Sequence, residues 1–204
     1  MIYLIGGAPR CGKTILAKKI AAKKRIGWVS TDRLWSVVFA STPKSQLKRK
    51  FPGYFLTREK GKYHFELHSL KTILDKEIIE AKSIWPGVMA FIRSTNNFKQ
   101  DFVIEGIHLL PKLVNQLKET NYWPKIKIVY LIKTDLEKIK EGIPKNQEEF
   151  DWLLAGGVDK PGRLDGAAKM INYESQYFEQ EAKKYNFKVI NTGRDFHKTL
   201  KNLS

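Results

Sequence analysis

The sequence predicts an α/β fold in which a five-stranded parallel sheet is covered by helices on both faces. Five short runs are apolar and favour strands, and the stretches between them carry apolar residues at helical spacing. Strands that alternate with helices are typical of parallel sheets with right-handed crossovers. The five predicted strands are residues 2–5, 27–30, 102–105, 127–132 and 187–190.

The predicted helices follow from the same periodicity. The first spans residues 13–24, and an amphipathic helix spans residues 66–82, where apolar residues recur at intervals of three and four. A helix-like stretch covers residues 106–118, whereas the Pro-, Gly- and Lys-rich residues 41–63 predict a loop or short helices. The residues that the first helix is expected to bury are Ile15, Leu16 and Ile20.

The composition indicates a globular chain with one domain over residues 1–204. Its hydrophobic fraction is 42% and its charged fraction 28%. No apolar run approaches the ~20 residues of a membrane-spanning helix, and a predicted strand follows Met1 directly, where a secretory signal would begin. The single cysteine excludes an internal disulfide framework. We therefore expect a cytoplasmic protein that makes no membrane contact.

Residues 7–14 read GAPRCGKT and fit the pattern G-x-x-x-x-G-K-[ST] at every fixed position. A predicted strand precedes this segment and a predicted helix follows it, which is the context that a phosphate-binding loop requires. Backbone N–H groups and the positive end of the helix would face nucleotide phosphates. The sequence thus predicts a P-loop NTPase that binds ATP. The predicted nucleotide-binding residues of this segment are Gly7, Ala8, Pro9, Arg10, Cys11, Gly12, Lys13, Thr14 and Ile15.

Three residues predict the phosphate and metal chemistry. Lys13 would reach the β- and γ-phosphates, and the Thr14 hydroxyl would bind Mg²⁺. Glu105 ends an apolar strand, where a buried charge needs a partner. That partner is either Mg²⁺, bound directly or through water, or a nearby lysine. We expect Thr14 and Glu105 to form the magnesium site.

Asp32 follows the second predicted strand, at the edge where ligands of parallel sheets bind. It is the candidate to orient the acceptor hydroxyl and to take its proton. The alternative is that Asp32 only caps the helix that follows, since Ser, Thr and Asp all suit that position. Both roles are compatible with one side chain.

The basic residues are unevenly distributed along the chain. The net charge is +16, and residues 1–100 carry 20 basic and 6 acidic residues. Eight basic residues and one acid lie between Arg33 and Lys62, which favours an anionic acceptor, although a solvated lysine surface has the same composition. The candidate acceptor-binding residues are Arg33, Arg93 and His108, in addition to Asp32.

The order of these motifs resembles that of the small P-loop kinases with an adenylate-kinase-like fold. The phosphate loop, Ser30-Thr31-Asp32 and the segment Ile104–Pro111 (IEGIHLLP) are most similar to 2-phosphoglycerate kinase-like proteins. The resemblance implies an acceptor-binding segment at about residues 33–95. It also implies that the stretch Asn191–Phe196 packs near the adenine, with Thr192 as the nucleotide contact.

The same resemblance implies a lid at about residues 134–163. Gly156 and Gly157 would form its hinge, and Arg163, after the turn that begins at Asp159, would stabilise the transition state. Such kinases often carry two or more lid arginines, whereas this segment has only Arg163, with Lys160 nearby. The alternative is that Arg163 begins a helix after an ordinary turn.

Three functions remain open at this stage. The first is ATP- and Mg²⁺-dependent phosphoryl transfer to a small, anionic metabolite, with Lys13, Asp32 and Arg163 as the catalytic residues. The second is a polynucleotide 5′-hydroxyl kinase, which the basic first half and the aromatic residues Trp28, Trp35, Tyr54 and Phe55 would suit. The third is a nucleotide-binding NTPase or regulatory module. The sequence does not reveal the acceptor or the oligomeric state.

Overall fold

The computed structural model describes residues 1–56, 59, 62–145 and 162–193. In this part of the chain five parallel strands form one sheet in the order β2-β3-β1-β4-β5. The predicted fold class is confirmed. The strands are β1 (Ile2–Gly7), β2 (Gly27–Ser30), β3 (Phe102–Glu105), β4 (Ile126–Ile132) and β5 (Val189–Asn191).

Eight α-helices accompany the sheet in the described residues, together with two short 3₁₀ helices at Asn115–Glu119 and Trp123–Lys125. Residues 106–118 hold only a four-residue α-helix and a 3₁₀ turn, not the continuous helix that their pattern predicts. The α-helices are α1 (Lys13–Lys24), α2 (Thr31–Ser41), α3 (Lys44–Lys50), α4 (His64–Leu67), α5 (Leu70–Asn97), α6 (Pro111–Val114), α7 (Leu136–Lys145) and α8 (Arg163–Lys184).

Helix α5 is longer than the sequence predicts. It begins after Ser69, whose side chain accepts a hydrogen bond of 3.1 Å from the Thr72 N–H, and it continues through Pro86 to Asn97. Proline disfavours a helix interior, but buried apolar side chains on both sides of it hold this helix against the core. The prediction that the helix ends at Lys82 is therefore wrong.

The core lies on both faces of the central strands. Leu4, Ile104 and Leu131 are fully buried, and α1 packs Leu16 and Ile20 beneath them. Ile15 is 41% exposed, so the expectation that it joins the core is wrong. The first turn of α1 directs this side chain to the solvent. Within the described residues, no helix combines the length and apolar character needed to cross a bilayer.

The segment between β2 and α5 packs through an aromatic cluster. Trp35 stacks on Phe39 with ring centroids 4.8 Å apart and meets the edge of Phe51 at 5.2 Å. Buried Glu80 of α5 fastens this cluster, because its carboxylate accepts hydrogen bonds from Trp35 Nε1 (2.9 Å) and from the backbone N–H of Tyr54 (3.0 Å). Trp35 is thus occupied in packing, rather than presented as a surface for nucleotide bases.

Candidate functional site

The phosphate loop between β1 and α1 has a backbone conformation that requires glycine at two positions. Gly7 adopts φ +126°, and a Cβ there would lie 1.9 Å from the Leu131 carbonyl oxygen. Gly12 adopts φ +88° directly before α1, so the first N–H groups of that helix open onto the loop. This geometry provides the anion-binding N–H groups that the motif predicts.

Lys13 and Cys11 are buried around this loop. Lys13 Nζ donates a 2.7 Å hydrogen bond to the Ala8 carbonyl, which holds the ammonium group across the loop. Burial raises the pKa of the Cys11 thiol to about 11, so this cysteine is neutral and unreactive at neutral pH. Cys11 shapes the loop, whereas Lys13 brings the positive charge that phosphates require.

Thr192 supports the loop from behind. Its buried hydroxyl lies 3.1 Å from the Cys11 carbonyl oxygen and 3.2 Å from that of Ile132, both of which are acceptors. The sequence identifies this residue as a nucleotide contact. Its hydroxyl is engaged with the protein backbone and connects the end of β5 to the phosphate loop, and its contact with a nucleotide stays a prediction.

Glu105 and Thr14 meet at the carboxyl end of β3. The Thr14 hydroxyl donates a 3.1 Å hydrogen bond to the Glu105 carboxylate, which is buried. Burial raises the pKa of Glu105, while the positive charge of Lys13 lowers it. In the described ranges, no group of three or more His, Cys, Asp or Glu side chains is arranged so that it could hold a metal ion by itself. One hydroxyl and one carboxylate nevertheless fit Mg²⁺, which takes its other ligands from phosphates and water.

Asp32 lies in the first turn of α2, beside His108. The helix is capped by Ser30, whose Oγ accepts a hydrogen bond from the Asp32 N–H, so capping does not occupy the Asp32 carboxylate. That carboxylate is 74% exposed, and its Oδ1 lies 3.5 Å from His108 Nδ1. Asp32 is therefore available to a ligand at the edge of the sheet that holds the phosphate loop.

His108, a predicted acceptor-binding residue, is buried, with 6% of its surface exposed. Its Nδ1 lies 3.0 Å from the Thr31 hydroxyl. Burial lowers the pKa of His108 to about 4, against the opposing effect of the Asp32 carboxylate, so the ring is neutral at neutral pH. The neutral imidazole lies beside the Asp32 carboxylate without neutralising its charge.

The arginines proposed for phosphate or acceptor binding lie in different places. Arg10 adopts φ +59° and donates to the Ile143 carbonyl near the end of α7, which joins the phosphate loop to the start of the proposed lid. Arg33 is exposed on α2. Arg93 lies 16 residues beyond Glu77 on α5, or about 24 Å along the helix. Neighbouring Phe91 contacts Phe102 at the beginning of β3, so Arg93 is at the edge of the sheet remote from the phosphate loop.

Arg163 begins α8 and is only 1% exposed. Its Nε lies 3.6 Å from the Glu66 carboxylate, and its guanidinium group stacks 4.5 Å above the centre of the Tyr63 ring. The residue predicted to act from a lid thus packs against the segment around α4. The rest of the predicted hinge and turn, residues 156–161, lies outside the described residues, as do Arg194 to Phe196.

Two acidic residues near Lys13, Glu174 and Glu77, are not among the site residues that the sequence predicts. Glu174 of α8 is 1% exposed, and neither carboxyl oxygen has a hydrogen-bond partner among the described residues. Burial and the charge of Glu77 raise its pKa well above the ordinary range. Glu77 of α5 has its pKa raised to about 8 by burial and by its acidic neighbours Glu80 and Asp32, with Lys13 opposing.

A signal for Glu174 is present in the sequence. It stands three residues after Ile171 and four before Phe178, on the stripe of α8 that is buried. On α5, Glu77 lies four residues after Ile73 and Glu80 lies seven residues after it, and Glu80 is buried. Charged residues within an apolar helical stripe indicate a buried site, because burial of an acid without a partner is costly.

A cavity of about 330 Å³ opens beside the phosphate loop, at the ends of β4 and β5. Asn191 forms part of its wall, and its side chain donates to the Thr134 hydroxyl (2.8 Å) and accepts from the Gly193 N–H (3.0 Å). Because Thr192 connects this wall to the phosphate loop, a nucleotide with its phosphates on the loop could extend into the cavity.

Comparison with known proteins identifies the fold and nothing finer. No protein-family model matches the chain, and no curated protein matches its sequence. A gluconokinase from Sinorhizobium meliloti 1021 superposes with a TM-score of 0.53 at 10% identity, covering 98% of this chain and 87% of the gluconokinase. A shikimate kinase from Bacteroides thetaiotaomicron gives a TM-score of 0.51 at 14% identity, covering 100% of this chain and 93% of that enzyme. The chain has the fold of the small-molecule P-loop kinases.

Proposed function

We propose that the protein transfers the γ-phosphoryl group of ATP to a hydroxyl group of a small molecule. The observation that carries the proposal is the meeting of Lys13, Thr14 and Glu105 at the phosphate loop, with Asp32 exposed at the same edge of the sheet. Phosphoryl transfer depends on positioning and on charge neutralisation, and these residues supply both. The kinase fold of the chain supports the same reaction class.

The reaction assigns a role to each residue. The loop N–H groups and Lys13 bind the β- and γ-phosphates, and the nucleoside extends toward the cavity beside Asn191. Mg²⁺, held by Thr14 and Glu105, would neutralise phosphate charge. The acceptor oxygen bonds to the γ-phosphorus as the bond to the bridging oxygen of ADP breaks. The hydroxyl proton passes to Asp32, which neutral His108 keeps in position.

The lid remains part of the proposal. Arg163 would stabilise the transferring phosphoryl group after leaving Glu66, and Arg10 would follow the movement of α7 through its bond to the Ile143 carbonyl. The proposed protein is a single cytoplasmic domain with an acceptor segment at about 33–95 and a lid at about 134–163. The 2-phosphoglycerate kinase-like motifs support a small-molecule acceptor but do not specify it.

The charge of the acceptor is a separate question. The basic segment supports an anionic acceptor, as the sequence predicts, and Arg33 is its member nearest to Asp32 along the chain. However, Lys44, Lys48 and Arg49 are exposed on α3, where lysine-rich surfaces are commonly only solvated.

The test follows label from γ-labelled ATP and Mg²⁺ into a metabolite panel and a 5′-hydroxyl oligonucleotide. Lys13→Ala is the inactive variant, and Lys19→Ala, an exposed lysine of the same helix, is its control. Label in a small molecule, lost only in Lys13→Ala, supports the proposal. Label in the oligonucleotide would favour a polynucleotide kinase, for which half-exposed Tyr54 and Phe55 offer stacking surfaces. Release of phosphate alone would favour an NTPase module.

A further inference from the structure

Lys133 follows β4 directly and lies beside the phosphate loop. Leu131 of β4 pairs with Gly7, the first residue of the loop motif, so Lys133 is two residues beyond that pair. Its backbone N–H donates a 3.0 Å hydrogen bond to Ser175 Oγ on α8, and the same Oγ lies 3.8 Å from Cys11 Sγ in the loop. These contacts fix the backbone of Lys133 next to the phosphate-binding segment.

The side chain of Lys133 runs between two glycines. A Cβ at Gly142 of α7 would lie 3.3 Å from Lys133 Nζ, and a Cβ at Gly193 would lie 3.8 Å from Lys133 Cγ. Glycine is less favourable than alanine inside a helix, and Gly142 is not among the glycines of positive φ. Its lack of a side chain instead leaves room for the lysine ammonium group against α7.

Arg10 brings a second positive charge to the same turn of α7. Its guanidinium group donates to the carbonyl of Ile143, which is the residue after Gly142. Burial lowers the pKa of Lys133, and the charge of Arg10 acts in the same direction. Because like charges repel, two cations on one helical turn are favourable only when an anion lies near them.

The neighbouring lysines of α7 are paired with acids, whereas Lys133 is not. Lys138 Nζ lies 3.9 Å from the carboxylate of Asp135, and Lys140 Nζ lies 2.9 Å from that of Asp165. In the part of the chain that the structure describes, no carboxylate forms an ion pair with Lys133. Its ammonium group is therefore available to an anionic ligand.

The path of the donor nucleotide indicates which anion this is. The loop and Lys13 bind the β- and γ-phosphates, and the nucleoside extends into the cavity that Asn191 and Gly193 line. The α-phosphate joins these two parts of the nucleotide. Lys133 spans the same interval, because its backbone is beside the loop and its Cγ is beside Gly193.

We propose that Lys133 binds the α-phosphate of the donor nucleotide, while Arg10 adds positive charge and stays bonded to Ile143. This inference rests on the proposed function and adds to it a donor-binding residue. The competing explanation is that Lys133 and Arg10 only stabilise the last turns of α7, where cations interact favourably with the helix dipole. In that case the loss of Lys133 would lower the free energy of unfolding and leave ATP affinity unchanged.

The experiment compares the wild-type protein with Lys133→Met, which removes the charge and keeps an unbranched side chain, and with Lys133→Arg, which keeps the charge. The control is Lys127→Met, at the exposed start of the same strand. Calorimetry measures the affinity for ATP with Mg²⁺. Tripolyphosphate, which has three phosphates and no nucleoside, is then tested as a competitor of ATP. Urea unfolding without nucleotide measures the stability of each protein.

Lys133→Met is expected to weaken ATP and tripolyphosphate by the same factor, about tenfold, as the loss of one charged hydrogen bond allows. Lys133→Arg should bind ATP more tightly than Lys133→Met, and Lys127→Met should bind it as the wild type does. Four results would overturn the inference: unchanged ATP affinity in Lys133→Met, a loss for ATP but not for tripolyphosphate, no recovery in Lys133→Arg, or a loss that accompanies an equal fall in the free energy of unfolding. Failure of the wild-type protein to bind ATP would instead refute the proposed function itself.

Discussion

The acceptor segment and the phosphate-loop edge, by which we mean the edge of the sheet that holds the phosphate loop, each contain a buried glutamate. The two glutamates differ in their hydrogen bonds. Glu80, 7% exposed, accepts hydrogen bonds from the Trp35 side chain and the Tyr54 backbone, and it fastens the aromatic cluster to α5. Glu174, 1% exposed, has no hydrogen bond at either oxygen from the residues that the structure describes. The carboxylate of Glu80 is thus satisfied by named partners, whereas that of Glu174 is buried without one in the same part of the chain.

This difference separates residues that stabilise the fold from residues that are kept for chemistry. The phosphate-loop edge also contains the positive φ of Arg10 and the buried neutral ring of His108. Each of these features lowers the free energy of unfolding, and the packing of the aromatic cluster around Glu80 raises it. Substitutions at the loop edge should therefore affect transfer more than folding, and substitutions around Glu80 should do the reverse.

The largest expected effect is that of Asp32→Asn, which removes the proposed general base from the phosphate-loop edge. Removal of a general base lowers kcat by about 10²–10⁴-fold. Because Asp32 is 74% exposed, the free energy of unfolding should change by less than about 0.5 kcal/mol. Transfer kinetics and urea unfolding are measured together, with exposed Asp75→Asn as the control. If Asp32→Asn transfers at the wild-type rate, Asp32 is not the base.

His108→Gln tests whether the buried ring of His108 is neutral in the folded protein. The test is the pH dependence of the free energy of unfolding. The pKa of His108 falls from 6.5 to about 4 in the folded protein, so below pH 6.5 the unfolded chain takes up a proton that the folded chain refuses. The stabilising contribution of His108 is complete above pH 6.5 and is lost as the pH falls to 4, on the order of 3 kcal/mol in total.

Unfolding free energies at pH 7.5, 6, 5 and 4.5 measure this loss. His108→Gln should remove this pH-dependent loss of stability, so the unfolding free energies of the wild type and the variant should converge at low pH. Parallel curves over the whole range would contradict the assignment, because they would mean that the folded ring titrates normally.

Glu80→Gln tests the other region, which is the aromatic cluster of the acceptor segment. The loss of charge-assisted hydrogen bonds from Trp35 and Tyr54 should lower the free energy of unfolding by about 2 kcal/mol. The tryptophan emission should shift as the Trp35 N–H loses its partner, and kcat at a temperature where the variant is folded should be unchanged. A fall in kcat without loss of stability would place Glu80 in the site and end the distinction between the two regions.

Glu174→Met is expected to have the smallest effect and the opposite sign. Replacing an unpaired buried acid by an apolar side chain should raise the free energy of unfolding by about 1 kcal/mol. Because the folded pKa is raised, the native protein retains a proton that the unfolded chain loses above pH 4.5, so the wild type loses stability as the pH rises. The gain should thus be larger at pH 8 than at pH 5. A loss of stability at both values would mean that Glu174 is structural.

The sequence predicts the phosphate loop and the strand ends because local patterns determine them. The bounds of β2, β3 and α1 agree with the prediction, and Asp32 and Glu105 lie at the edge that parallel topology requires. These elements depend on strand propensity, glycine conformation and helical periodicity, which are properties of short segments.

The rest of the site depends on packing between distant segments. The partner of Arg163 is Glu66, about a hundred residues earlier, and neither residue carries a local signal for the other. The sequence predicts Arg93 as an acceptor-binding residue, but nothing local in the sequence shows that the helix continues past Lys82. The continuation of α5 past Pro86 carries Arg93 to the opposite edge of the sheet. Glu174 has a weak periodic signal, and only the packing of α8 beside the phosphate loop shows that its carboxyl group is buried.

The hydroxyl of Thr192 has a consequence for synthesis of the protein. It joins the residue after β5 to the Cys11 carbonyl across 181 residues of chain, so the phosphate loop is supported by the strand that is synthesised last among those the structure describes. A nascent chain that has already made its first 150 residues carries the complete phosphate-binding motif without this support. The phosphate loop is thus expected to reach its supported conformation only after β5 has been synthesised and has joined the sheet.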